Sequence, residues 1–188
     1  MGLNMNLKND MLLYHGSYCT VTKPDLSICK QNRDFGRGFY LTSDKQQAMS
    51  FIKTSYYRDK QYLVSSSCCG FVSVFQYHPV DGIDIHTFDD ANESWFKAVT
   101  AHRRPQQHPE IINLYQKYDI IAGKIANDKT NAVILAYLSG LYGQMGSKRA
   151  IYIAISLLNP EKLTDQFCFR TPKALDSLTY IESQEYYL

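Results

Sequence analysis

Residues 33–42 read RDFGRGFYLT, in which two glycines flank Arg37 directly before an aromatic and apolar run. Glycine adopts backbone angles and permits close approaches that other residues resist. The run GFYLT has the composition of a β-strand. The stretch therefore predicts a turn over residues 34–38 that leads into a strand. Tyr40 alternates with Phe39 and Leu41 on that strand, so its ring should lie on the opposite sheet face.

The Asp34-Phe35-Gly36 triplet raises the possibility of a protein kinase, which the sequence excludes. Kinases carry this triplet after a glycine-rich phosphate loop, a strand lysine and a His-Arg-Asp catalytic loop. None of those motifs precedes residue 34, and the 33 residues upstream are too few to hold a nucleotide-binding lobe.

Length and composition indicate one domain spanning residues 1–188. The chain is 45% hydrophobic, which is enough for one sizeable core. Its 20 basic and 18 acidic residues give a net charge of +2, so no overall field attracts nucleic acid or an anionic membrane. An anionic ligand must therefore be bound by local groups.

The cysteines and the first residues favour a cytoplasmic protein. The five cysteines show no Cys-x-x-Cys spacing, so reduced thiols are expected, with neither a metal site nor a disulfide framework. The start MGLNMNLKND lacks the apolar segment of a secretory signal, and no apolar run reaches membrane-spanning length. We therefore expect no membrane association.

Strand and helix patterns alternate irregularly along the chain, which favours an α+β domain over a parallel doubly wound sheet. Predicted helices begin at Ser43, through a capping box with Gln46, and at Asp90, with Glu93 in the first turn. Trp95 and Phe96 on the second of these are expected in the core. Predicted strands are MLLYHGSY, GFYLT, FVSVFQYH, DGIDIHTF, YDIIAGKIA and DQFCFRT, of which the third and fourth form a hairpin, and LTYIES is a strand or a tail. Further predicted helices are TNAVILAYLSGLY, RAIYIAISLLN and a short one from Thr171-Pro172.

Several side chains have the chemistry of a ligand site, although each also has a plain structural explanation. His15 ends a strand just before Gly16, where the missing side chain lets a ligand approach the backbone. Gln166 shares a strand face with Cys168. Arg33 and Arg37 are candidates for phosphate contacts, as is the basic run at residues 102–104. His102 and His108 have no recognised metal spacing.

Taken in order, the motifs resemble a bacterial family of uncharacterised domains related to the ADP-ribosyltransferases. The motifs are LYHGS, PDL, DFGRGFYLT, YDIIAGKIANDKT and DQFCFRTPKAL, and the similarity runs from about residue 13 to the end. The resemblance implies split β-sheets with flanking helices and NAD in the cleft between the sheets. It also implies the branch of this superfamily that uses His, Tyr and a third residue, which is Glu, Asp or Gln.

Carried over by motif, the resemblance implies His15, Tyr40 and Gln166 as catalytic residues. His15 would bond the adenosine-side ribose, the Gly16 backbone would hold the nicotinamide amide, and Tyr40 would stack on the nicotinamide ring. Gln166 would lie near the ribose that is attacked. The implied NAD-binding set is His15, Gly16, Ser17, Gly38, Phe39 and Tyr40, and no metal is required.

The implied activity is NAD-dependent mono-ADP-ribosylation of a protein or nucleic-acid acceptor. The resemblance also raises the role of a toxin that a cognate antitoxin holds. Two alternatives stay open: a weakly active or inactive module that binds NAD or ADP-ribose, and an NAD glycohydrolase.

A carboxylate would stabilise the cationic sugar better than Gln166, whose neutral hydrogen bond is weaker. Asp165 or Asp128 is therefore expected to supply charge nearby, and Gln166→Glu is expected to raise or preserve turnover. Arg103 and Arg104 are expected to be exposed and to contact the acceptor.

Overall fold

The computed structural model describes residues 6–59, 69–125, 128–159 and 163–187. Its architecture is α+β, as the sequence predicts. The strands are β1 (Met11–Ser17), β2 (Phe39–Leu41), β3 (Cys69–Tyr77), β4 (Ile85–Thr87), β5 (Ile120–Lys124), β6 (Asp165–Phe169) and β7 (Leu178–Tyr187). The helices are α1 (Lys45–Asp59), α2 (Glu93–Arg103), α3 (Pro109–Tyr115), α4 (Asp128–Leu138), α5 (Lys148–Leu158) and α6 (Pro172–Leu175).

The strands form two separate sheets. One has three strands in the order β1-β3-β7, and the other has four in the order β2-β6-β5-β4. All neighbouring strands are antiparallel except β4 and β5, which are parallel. The predicted hairpin is therefore wrong: β4 does not pair with β3, because it lies at the far edge of the other sheet.

The two sheets pack face to face through an apolar cluster. Its members are the inward-facing residues of both sheets, including Leu13, Phe39, Phe75 and Phe167, all at most 5% exposed. Alternation along each strand sends the neighbouring side chains to the outer faces. This inner layer fixes how β1 and β2, the adjacent edge strands, approach each other.

Helices cover both outer faces. Ala48 and Ile52 of α1 pack on Val72 of β3, on the outer face of the three-stranded sheet. The outer face of the four-stranded sheet packs against α2 to α5 in a second apolar cluster. Trp95 and Phe96 of α2 are fully buried there, which confirms that prediction.

Two predicted helix starts lie one or two residues too early. Asp44, not Ser43, caps α1, because its Oδ1 accepts from the amides of Gln46 (2.8 Å) and Gln47 (3.2 Å). Asn92, not Asp90, caps α2 by accepting from the Trp95 amide at 3.0 Å. In both places a neighbouring polar residue competes for the same capping role.

Cys19, Cys29, Cys69 and Cys168 are free thiols, and Cys68 lies outside the described residues. Across the part of the chain that the structure describes, no helix is both long enough and apolar enough to cross a membrane.

Candidate functional site

A cleft opens where β1 and β2 diverge. The two strands share one bridge, in which the amides of Tyr14 and Thr42 each bond the other's carbonyl at 2.8 and 3.0 Å. Beyond it, the ring of His15 bonds the Tyr40 carbonyl in place of a backbone partner. The cleft has a volume of about 360 Å3, which is within the usual range of small-molecule sites.

The cleft brings together every residue that the family resemblance assigns to the site. His15, Gly16, Ser17, Gly38, Phe39, Tyr40 and Gln166 all line it. They come from β1, β2, β6 and the turn before β2, so residues from both ends of the chain converge here.

Gly16 presents backbone groups along the free edge of β1. Tyr14 points its amide and carbonyl away from β3 and towards Thr42. In a regular antiparallel pair the residue two positions on has the same orientation, so the Gly16 amide and carbonyl also face outward. A side chain at this position would overlap the Ala48 carbonyl of α1. Glycine therefore permits the close approach of α1 at the edge of the cleft.

His15 is held in one tautomer. Its Nδ1 lies 2.8 Å from the Tyr40 carbonyl, which can only accept, so Nδ1 carries the proton. Nε2 of the neutral ring is then an acceptor. Burial lowers the pKa of His15, and the ring packs on Phe39 with centroids 4.6 Å apart. The imidazole is thus oriented and neutral at pH 7.

The side chain of Tyr40 is anchored by the turn that precedes its strand. Its hydroxyl donates to the Gly36 carbonyl at 2.7 Å and accepts from the Phe35 amide at 3.0 Å. Burial raises the pKa of Tyr40 well above its usual range, so the hydroxyl keeps its proton. The ring is therefore a fixed wall of the cleft.

Both glycines of the turn are required by their surroundings. Gly36 has a φ of +80°, and a Cβ there would lie 2.8 Å from the His102 ring. At Gly38 a Cβ would overlap the sulfur of Cys168 on β6. The turn can therefore lie flat against α2 and β6, which brings Asp34 and Tyr40 to the cleft.

Gln166 is 4% exposed and is held by its amide nitrogen. Nε2 donates to Asp34 Oδ2 at 2.9 Å and to the Lys124 carbonyl at 3.0 Å. Both amide hydrogens are thereby bonded, and Oε1 is the atom of the side chain that can still accept a hydrogen bond. Position 166 thus presents a neutral oxygen rather than a carboxylate.

Asp34 and Arg103 are the site residues that sequence reasoning missed. Nε and a terminal nitrogen of Arg103 donate to Asp34 Oδ1 at 3.0 and 2.7 Å. The side chains are only 16% and 10% exposed for Arg103 and Asp34. The expectation that Arg103 is exposed is therefore wrong, because it turns inward to the buried carboxylate, whereas Arg104 is exposed. The signal available in the sequence was an acidic residue in a glycine-rich turn.

Asp165 does not supply charge to the cleft. Its carboxylate accepts from the Thr42 hydroxyl at 3.0 Å, from the Ser43 amide at 2.9 Å and from the Ser43 hydroxyl. It faces the side of β6 opposite to Gln166 and fixes the end of β2. The side chain of Asp128 lies outside the described residues.

Comparison with known proteins assigns the chain to a family. The family model described as "Protein of unknown function (DUF3990)" matches residues 11–180. The chain belongs to the DUF3990 family. No curated protein and no solved structure matches it. The matched range of this DUF3990 member includes all of the cleft residues described above.

Basic side chains of this DUF3990 member line the outer part of the cleft. Lys23, Lys30 and Arg33 are among the lining residues, close to the segment that follows β1. Arg37 is not, because its guanidinium donates to the carbonyls of Leu26 (2.9 Å) and Ser27 (2.6 Å). Of the arginines predicted to meet phosphates, Arg33 and Arg103 line the cleft, and the guanidinium of Arg103 is engaged with Asp34.

Proposed function

We propose that the protein is an NAD-dependent mono-ADP-ribosyltransferase with a protein or nucleic-acid acceptor. The observation that carries the proposal is the convergence of His15, the Gly16 backbone edge, Tyr40 and Gln166 on one cleft. Three separate strands supply these groups, and each of the three side chains is held by its own hydrogen bonds. Such preorganisation is the property that a catalytic site requires.

The polar groups of the cleft match the parts of NAD. The outward amide and carbonyl of Gly16 complement the oxygen and nitrogen of the nicotinamide carboxamide. The ring of Tyr40 offers a flat face for stacking, and His15 Nε2 accepts from a ribose hydroxyl. Lys23, Lys30 and Arg33 line the cleft together with Asp25, and their positive charge suits a diphosphate.

The reaction breaks the bond between ribose C1′ and the nicotinamide nitrogen. Nicotinamide leaves with the bonding electron pair, and the sugar develops oxocarbenium-like positive charge. A nucleophile of the acceptor then bonds to C1′ and releases a proton to solvent. Gln166 Oε1 would accept from a ribose hydroxyl and so place its negative dipole end near this charge.

The remaining parts of the proposal concern fold relationship and biological role. Two sheets that meet at the Tyr14–Thr42 bridge and diverge into a cleft support an ADP-ribosyltransferase-like fold. A cytoplasmic toxin that a cognate antitoxin neutralises is the role consistent with that relationship, and the resemblance of the sequence motifs is its basis.

A second candidate is an NAD- or ADP-ribose-binding module with little turnover. The specific observation that favours it is the neutral oxygen at position 166, because an amide stabilises a developing cation less than a carboxylate does. NAD glycohydrolysis differs from transfer only in the nucleophile, which would be water.

The proposed function can be tested with NAD labelled in its adenylate part and a cell lysate as acceptor source. Transfer predicts label in macromolecules, and digestion with protease or nuclease identifies the acceptor class. Glycohydrolysis predicts free ADP-ribose and no labelled macromolecule. Binding without release of nicotinamide would identify the module, and absence of NAD binding would contradict all three.

A further inference from the structure

A hydrogen-bond chain runs from the exposed Asn131 through Arg103 to Asp34 and Gln166, which line the cleft. Arg103 contacts Asn131 Oδ1 at 2.5 Å and Asp34 Oδ1 at 2.7 Å, and Asp34 Oδ2 accepts from Gln166 at 2.9 Å. The Lys124 carbonyl accepts from Gln166 at 3.0 Å. The Asp-Phe-Gly triplet thus places a carboxylate against the side chain of position 166.

This chain determines which way the Gln166 amide points. The position occupied by Nε2 faces a carboxylate oxygen and a carbonyl oxygen, and both can only accept. If the amide were rotated by half a turn, Oε1 would meet two acceptors and both hydrogens would lose their partners. Leaving buried polar groups unpaired in this way is costly. Nε2 is therefore directed into the protein.

We propose that Asp34 is a positioning residue that holds Gln166 Oε1 available to the ligand and selects glutamine over glutamate at position 166. The ligand part of this statement rests on the proposed function, whereas the selection part depends only on the contacts within the chain. In this proposal Asp34 acts on the ligand through its hydrogen bond with Gln166.

The contact reverses the expectation that Gln166→Glu would raise or preserve turnover. A glutamate would place a carboxylate oxygen against Asp34 Oδ2 and the Lys124 carbonyl, so like charges would repel in a buried place. Arg103 offsets part of this repulsion, but it is already engaged with Asp34. Among the described residues, the titratable and charged groups around this position include Asp34, Arg103, Tyr40, His102, Cys168 and Lys124, and His15 and Arg33 line the same cleft.

A double-mutant cycle tests the selection. In Asp34→Asn, the new amide can donate where Asp34 accepted, which suits a glutamate at position 166 and opposes the native glutamine. Asp34→Asn and Gln166→Glu should each lower the Tm at pH 8 by roughly 5 °C. The Tm of the double variant should fall by less than the two single losses added together. Asp176→Asn, at an exposed acidic residue, is the matched control and should combine additively with Gln166→Glu.

The pH dependence separates positioning by charge from a merely structural role. Repulsion by Asp34 raises the folded-state pKa of a glutamate at position 166, so stability is retained in acid and lost as pH rises through that pKa. The Tm of Gln166→Glu should therefore recover between pH 8 and pH 5 relative to wild type, and Asp34→Asn should remove this recovery. Additive Tm losses, or an unchanged pH slope in the double variant, would overturn the proposal.

Two further results complete the test. If Gln166→Glu does not fold at pH 8, the double variant is expected to fold, and failure of both would contradict the selection. Asp34→Asn should weaken NAD affinity by about 3- to 10-fold, because the amide of position 166 is no longer oriented. If wild-type protein binds no NAD, the proposed function fails, while the Tm cycle still decides the coupling between positions 34 and 166.

Discussion

His15 Nδ1 and the backbone carbonyl of Tyr40 form a 2.8 Å hydrogen bond that joins the two sheets beside the cleft. The bond replaces the backbone pairing that ends at Tyr14 and Thr42. It fixes the tautomer of His15 and at the same time holds the strand that carries Tyr40. The two residues are therefore expected to act as one unit.

Protonation of His15 should weaken ligand binding. Burial lowers the pKa of this imidazole, so the ring stays neutral at pH 7 and gains a second proton only in acid. NAD affinity should be constant between pH 7 and pH 8 and should fall only in acid, below the ordinary histidine pKa of about 6.5, as Nε2 changes from acceptor to donor. Calorimetric titration across this range measures the effect.

The matched control for this prediction is His15→Gln, which does not titrate and should show no fall of its own in acid. The lowered pKa also makes stability decrease as pH falls, because the unfolded chain takes up the proton more readily. If NAD affinity fell equally in acid for the wild type and for His15→Gln, general destabilisation would explain the effect. That result would contradict a role for His15.

Tyr40→Phe should separate the anchoring of the hydroxyl from the stacking of the ring. The substitution removes the partner of the Phe35 amide and of the Gly36 carbonyl. We expect a loss of about 1–3 kcal/mol in the free energy of unfolding, with NAD affinity reduced less than in Tyr40→Ala. Denaturant unfolding and calorimetry measure the two effects. Equal NAD affinities for the Phe and Ala variants would contradict stacking.

Arg103→Ala should destabilise the protein far more than Arg104→Ala. The first substitution leaves the buried Asp34 carboxylate without its ion pair, which costs roughly 3–5 kcal/mol in comparable buried pairs. The second removes an exposed side chain and should change stability by less than about 0.5 kcal/mol. Denaturant unfolding of the two variants measures this difference. Equal free energies of unfolding would contradict a stabilising ion pair between Arg103 and Asp34.

Gly16→Ala should disturb the packing of α1 over β1. The added methyl group would overlap the backbone carbonyl of Ala48, which cannot move away as a flexible side chain can. We expect a loss of about 3 kcal/mol in unfolding free energy. Leu12→Ala, at a residue 44% exposed on the same strand, is the control and should cost less than about 1 kcal/mol. Wild-type stability of Gly16→Ala would refute the close approach.

The family resemblance named residues that line one cleft. Local sequence pattern did not predict the sheet pairing that brings them together. Strand alternation placed Tyr40 opposite Phe39 and Leu41, and the structure confirms it. Local pattern gave no means of seeing that β4 pairs with β5, because Pro79 and the Asp81-Gly82 turn are compatible with a hairpin. Sheet partners are chosen by tertiary packing rather than by local pattern.

Long-range polar contacts escaped prediction for the same reason. Asp34 and Gln166 are 132 positions apart, and Asp34 and Arg103 are 69 apart. The adjacent Arg103 and Arg104 were both predicted to be exposed. Successive residues lie on different faces of a helix, so Arg103 faces the buried carboxylate and Arg104 faces solvent. The short helix α3 was also missed, since Pro109 at its start reads equally well as a loop.

Nicotinamide release from NAD by the purified protein measures whether the cleft cleaves NAD. The wild type should be compared with His15→Ala and Tyr40→Ala, with and without lysate, and with His78→Ala as a control at a histidine that does not line the cleft. We expect nicotinamide release by the wild type and by His78→Ala. We expect this release to be lost in His15→Ala and Tyr40→Ala. Release that persists in folded His15→Ala and Tyr40→Ala proteins would contradict this expectation, as would absence of release from the wild type with lysate present.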